Sequence, residues 1–153
     1  MITLKTKYAL KALITLAEEK AGGGHSLTIE QIAARGHTPK RFLEHILLGL
    51  KRAGLIGSRR GREGGYVLIK EPRTISVGAV LRLVDGPMAP LPCLSRRAYQ
   101  RCADCRDEET CRIREVFGSV FAGYLLLIES LTLADLMRDN PLAANVLVEQ
   151  ALQ

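Results

Sequence analysis

Between residues 28 and 70 the chain carries two helix-start signals ten positions apart, then a hairpin rich in arginine and glycine. Thr28 with Gln31 is a capping box, in which side chain and backbone satisfy each other's free amide groups. TIEQIAARG therefore reads as a short helix closed by Gly36. Thr38 followed by Pro39 is a second start, an N-cap and then proline at the first helical position. RFLEHILLGLKRA continues it to a stop at Gly54, with Phe42, Leu43, Ile46, Leu47 and Leu50 on one face. An earlier helix over residues 3–20 is set by Leu4, Tyr8, Ala12, Leu13, Leu16 and Ala17, and AGGGHS ends it. Three helices with a tight turn between the second and third match a helix-turn-helix. Strand-like residues 55–60 and 66–70 follow, around the loop RGREGG. A hairpin directly behind a recognition helix is a wing, and its arginines Arg59, Arg60 and Arg62 are placed to reach phosphate or a minor groove. The fold class expected is mostly α with a small β-wing: a winged helix-turn-helix domain over residues 1–86.

Charge supports a nucleic-acid partner. Residues 1–73 hold 14 Lys and Arg against 6 Asp and Glu, net +8, whereas residues 74–153 have 8 against 10, net −2. A basic half joined to a near-neutral half is the layout of a DNA reader carrying a second function. The alternative is a solvated basic surface with no DNA role, in a small interaction protein.

Residues 75–86, ISVGAVLRLVDG, form a further helix with Val77, Val80, Leu81 and Val84 on its apolar face. GPMAPLP breaks the chain, and a loop over 87–107 leads to a long helix expected over the start of 108–139. That helix carries Ile113, Val116, Phe117, Val120, Phe121, Tyr124, Leu125, Ile128 and Leu131 as a continuous stripe. One small domain cannot bury it all, so a homodimer through Ile113, Val116, Phe117, Val120, Phe121, Tyr124 and Ile128 is expected. Thr132 with Asp135 restarts a short helix through Met137, and a tail over 140–153 carries no functional signal.

All four cysteines, Cys93, Cys102, Cys105 and Cys111, lie within the charged segment CLSRRAYQRCADCRDEETC. Spacings of C-x8-C-x2-C-x5-C are a soft-ligand composition. A single C-x2-C knuckle suits zinc less well than the bulkier iron–sulfur cluster. A third reading is a metal-free thiol switch, with Arg101 and Arg106 lowering the thiol pKa of Cys102 and Cys105. No leader peptide or spanning segment is evident, so cytoplasmic residence with reduced thiols is expected.

KYALKALITLA, LTIEQIA, PKRFLEHILLGLKRAGLI, SRRGREGGYVL, ISVGAVLRLVDGP, the cysteine segment and TLADL together resemble the IscR- and NsrR-type bacterial regulators, the Rrf-two family. The resemblance covers most of residues 1–137. It implies a homodimer in which the long helix crosses into its partner. It implies a [2Fe–2S] or [4Fe–4S] cluster on three cysteines, matched here by Cys93, Cys105 and Cys111. The family's histidine ligand falls at Arg114. The first-helix carboxylate of other members falls where this chain has Lys5, Thr6, Lys7 and Tyr8. Cys102, an extra thiol in the same loop, is then the expected fourth ligand of an all-cysteine site. Thr38, Pro39, Lys40, Arg41 and Glu44 match the DNA-contact positions, and Arg60 matches the minor-groove arginine, with Arg59 and Arg62 on phosphate. Arg41 suits guanine and Glu44 suits the cytosine amino group.

The function expected is a DNA-binding transcriptional regulator whose binding to a double-stranded operator is set by an iron–sulfur cluster. The alternative is a zinc- or thiol-based regulator without one. No catalytic constellation is present, and no small-molecule substrate is expected. GREGG is followed by a strand rather than a helix, which excludes a nucleotide-type phosphate loop. His37 and His45 lie near the DNA-facing side and read as surface residues.

Overall fold

The computed structural model describes residues 2–137; the tail over 140–153 and the last two residues of the expected 108–139 segment lie outside the described residues. Three helices open the chain: α1 over Leu4–Gly22, α2 over Ile29–Arg35 and α3 over Lys40–Arg52. The hairpin is β1 over Ile56–Arg59 paired antiparallel with β2 over Gly65–Leu68, Ile56 opposite Leu68 and Arg59 opposite Gly65. Helix α4 spans Val77–Asp85, the long α5 spans Arg112–Ser130, and α6 spans Leu133–Leu136. No helix among the described residues is long and apolar enough to cross a membrane.

The capping residues set most of these boundaries. Thr3 caps α1 through the Thr6 amide, and Ser76 caps α4 through the Ala79 amide. The Thr28–Gln31 and Thr132–Asp135 capping boxes both form. The α2–α3 turn departs from the sequence reading. Gly36 stays right-handed at φ −81, and the left-handed residue is His37 at φ 46. Pro39, not Thr38, occupies the N-cap of α3, and no side chain caps that end.

The core joins α1 to α3. Ala9, Ala12, Leu13, Leu16 and Ala17 meet Leu43, Ile46, Leu47 and Leu50, with Ile32, Ile56 and Leu68 closing the edges. Phe42 departs from the apolar face expected of it: it is 39% exposed, its ring tilted 40° to that of Tyr8 at 5.6 Å between centroids.

The end of the described chain returns to this same core. The Leu133 amide donates to Ile75 O at 2.8 Å and the Val77 amide to Leu131 O at 2.8 Å, so Leu133 is buried beside Val80 and α1. Helix α5 is therefore fastened at its C-terminal end to the segment that starts α4. The helix begins at Arg112, with Cys111 at its N-cap, so residues 108–111 belong to the cysteine loop rather than to the helix.

Candidate nucleic-acid interface and cysteine loop

Helix α3 sorts its residues cleanly. Leu43, Ile46, Leu47 and Leu50 face the core, which turns Lys40, Arg41, Glu44, His45, Leu48, Lys51 and Arg52 to solvent. Arg41 lies over the Phe42 ring at 4.8 Å, and Phe42 leans on Tyr8, so a short aromatic stack sets where this guanidinium points. Lys40 is paired with Glu30 of α2. That pairing holds the Glu30 carboxyl below its ordinary value and raises the Lys40 ammonium. Lys51 donates to Ser58 Oγ at 2.6 Å and ties the end of α3 to the wing.

Thr38 is a correction to the expected DNA-contact set. It is only 5% exposed, with its hydroxyl donating to Gly36 O at 3.1 Å and its amide to Ala33 O at 3.0 Å. It holds the turn together from inside. Pro39, Lys40, Arg41 and Glu44 are exposed as expected.

The wing is anchored to the strand-like residue before α2. The Leu27 amide donates to Tyr66 O at 3.0 Å and the Tyr66 amide to Leu27 O at 2.7 Å, while Ser26 Oγ donates to Glu63 O. This close approach requires glycine at 65, where a Cβ would stand 2.5 Å from Leu27 O. Gly61 turns the tip at φ +105. Arg59, Arg60 and Arg62 are exposed and line a cleft of about 700 Å³ that also takes in Thr28 and Gln31. Recognition helix and wing thus both present exposed cations, of the kind that contact grooves and phosphates.

The cysteine segment folds as a compact loop. Cys93 is buried at 5% in a 3₁₀ turn over Pro92–Leu94, while Cys102, Cys105 and Cys111 are half-buried. The Cys105 amide donates to Cys102 O at 3.1 Å. Arg114 donates to Cys93 O at 3.0 Å and to Glu108 at 3.1 Å, and Glu108 also accepts from the Tyr99 hydroxyl. The bond to Glu108 raises the Tyr99 phenol. Arg114 therefore fastens both ends of the loop to α5.

A hydrogen bond between the Cys102 and Cys93 thiols, with burial second, pushes the Cys102 thiol up. This corrects the expected lowering by arginine: Arg101 donates instead to the backbone carbonyls of Cys105 and Arg106, at 3.1 and 3.0 Å. The donor chemistry of the loop suits a thiolate-held group. The donors are not assembled, because among the described residues no three Cys, His, Asp or Glu side chains converge on one point.

On α5, Ile113, Val116, Phe117, Val120 and Tyr124 are exposed, and so are Leu126 and Leu127, which the stripe did not include. Phe121 is half-buried and stacks on Tyr124 at 5.8 Å. Ile128 is a correction: it is 8% exposed and packs within its own chain against Val77 and Leu81. Glu129 is the residue sequence reasoning missed on this helix. It accepts from Ser76 Oγ at 3.0 Å and pairs with Arg82, directly over Gly78.

Residues 2–139 match the family described as Rrf2, iron-dependent transcriptional regulator. The chain belongs to the Rrf2 family of transcriptional regulators. It is 59% identical over 148 residues to an rrf2-like HTH-type transcriptional regulator of Rhodobacter capsulatus, covering 96% of this chain and 99% of that one. Among solved structures, IscR of T. potens superposes with a TM-score of 0.69 at 27% identity, covering 94% of this chain and 90% of that chain. CymR, the global cysteine regulator of B. subtilis, superposes with a TM-score of 0.67 at 28% identity, covering 90% and 95%. These Rrf2 relatives are regulators rather than enzymes. Its winged helix-turn-helix is the DNA-binding domain of such a regulator.

Proposed function

We propose that this Rrf2 regulator is a cytoplasmic homodimer whose operator affinity follows the state of its cysteine loop, with an iron–sulfur cluster on Cys93, Cys102, Cys105 and Cys111 as the controlling group. The observation that carries the coupling is Arg114, which bonds Cys93 O and Glu108 from the first turn of α5. A change in the loop therefore reaches the helix directly. Helix α5 in turn is fastened to α4 through Glu129, Arg82 and Ser76, and α4 packs on α1 in the DNA-binding domain.

The dimer rests on the apolar residues α5 leaves exposed from Ile113 to Leu127, too many for one helix of a lone chain to present to water. A dimer needs its two recognition helices about one DNA turn apart, so a small rotation of α5 alters operator affinity. When bound, the cluster supplies a thiolate-held centre responsive to oxygen, nitric oxide or iron supply. The loop's residues do the rest: Cys93 is held buried within its turn, and Arg114 keeps that turn against α5.

A second reading, control by thiol chemistry without a cluster, draws on the effect of Cys93 on the Cys102 thiol and on the unassembled donors. Iron, acid-labile sulfide and zinc per chain, measured on protein purified without oxygen, separate the two. Iron with sulfide, reduced in Cys102→Ser, supports the cluster. Protein free of metal, or carrying zinc alone, refutes it.

A further inference from the structure

A cavity of about 520 Å³ opens between α5 and the chain leading from α4 into the cysteine loop. Its volume falls in the range of small-molecule sites. Met88, Leu94, Phe121 and Leu125, all half-buried, make its apolar wall. Arg96 and Arg97 line its solvent side. Arg82 also borders it, but Glu129 neutralises that guanidinium. Among the described residues Arg96 and Arg97 have no ion-pair partner, so the cavity combines an apolar interior with two uncompensated cations.

The cavity lies on a different side of α5 from Val116, Val120 and Tyr124, and of the residues expected on the dimer face it takes in Phe121 alone. At 3.6 residues per turn, Gly118, Phe121 and Leu125 lie about a third of a turn from the stripe of Val116, Val120 and Tyr124. They share the side of α5 that carries Arg114. Gly118 also makes room: a Cβ there would stand 3.6 Å from Leu94 Cδ2, so any longer side chain would compete with the cavity for space.

We propose that this cavity binds a small organic anion with an apolar body, such as an aromatic carboxylate or sulfonate, its ring against Phe121 and Leu125 and its charge on Arg96 and Arg97. Guanidinium groups offer paired donors that fit a carboxylate or sulfonate. Such a ligand would hold residues 94–97 against α5, beside the buried Cys93.

The test is a fluorescence titration of the full chain with 8-anilinonaphthalene-1-sulfonate, which has both required parts. Saturable binding is expected, and Arg96→Gln/Arg97→Gln should weaken it about tenfold or more. Gly118→Leu should abolish it, with thermal unfolding recorded to confirm folding. The exposed arginine pair keeps the test decisive if Gly118→Leu does not fold. Val116→Lys/Val120→Lys, on the dimer stripe, should leave the affinity within about twofold. Displacement by 2-naphthoate but not by 2-naphthalenemethanol is also expected. Unchanged affinity in the arginine variant, loss in the stripe variant, or equal displacement by the alcohol would each overturn the proposal.

Discussion

Gly65→Ala should loosen the wing without touching a DNA-facing side chain. The added Cβ would lie 2.5 Å from Leu27 O, 2.6 Å from its carbonyl carbon and 3.1 Å from its nitrogen. All three are backbone atoms, so no side-chain rotation relieves the clash. The hairpin must draw away from residue 27, and the two bonds between Leu27 and Tyr66, at 3.0 and 2.7 Å, are lost. At about 1 kcal/mol each, net of solvent exchange, the loss is ~2 kcal/mol. For a chain of this size that lowers the thermal midpoint by about 4–8 °C. Arg59, Arg60 and Arg62 ride on the displaced hairpin, so operator affinity at fixed salt should fall by about tenfold or more. Differential scanning calorimetry and fluorescence anisotropy on a labelled operator measure the two effects. A midpoint within about 1 °C of the parent, with unchanged operator affinity, would refute the wing anchor as described.

Gly49→Ala is the converse case. No atom lies within 4 Å of a Cβ there, so the variant should be more stable by about 0.5–1 kcal/mol in chemical denaturation. Arg60→Ala should cost roughly 1–3 kcal/mol at a specific operator and flatten the salt dependence of binding, read from titrations at several salt concentrations. The bond from Arg82 holds the Glu129 carboxyl below its ordinary 4.5. A carboxyl depressed in the folded state stabilises above its unfolded value and loses that contribution as pH falls through the folded one. Glu129→Gln should therefore melt below the parent at pH 7, and the two midpoints should converge as pH is taken well under 4.5.

The winged helix-turn-helix was legible because its signals are local. Both capping boxes, the period of α3 through Leu43, Ile46, Leu47 and Leu50, and the glycine-rich turn act within a few residues, and each formed where it was read. Thr38 misled because Thr-Pro has the form of a cap. The left-handed turn at His37 instead folds the threonine inward and leaves Pro39, at ψ 126, as the cap. Ile128 was placed on the dimer face because periodicity marks an apolar stripe and says nothing about which neighbour covers it. Here Val77 and Leu81 do. The thiols show the same limit. Arg101 and Arg106 are neighbours of Cys102 in sequence, but Cys93, nine positions away, has the largest effect on its thiol. The Lys40–Glu30 pair, the stack of Arg41, Phe42 and Tyr8, and the seat of Glu129 over Gly78 join residues from different elements. No spacing rule could have found them.

The central claim is that the cysteine loop sets operator affinity through α5. Its most direct test is a pair of operator-binding curves at one fixed salt concentration. One is taken on protein prepared and held without oxygen, the other on the same preparation after its metal has been removed and its thiols kept reduced. The account predicts affinities that differ by about tenfold or more, and a smaller difference in Arg114→Ala, where the loop is no longer fastened to the helix. Superimposable curves from a preparation that verifiably lost iron would contradict it.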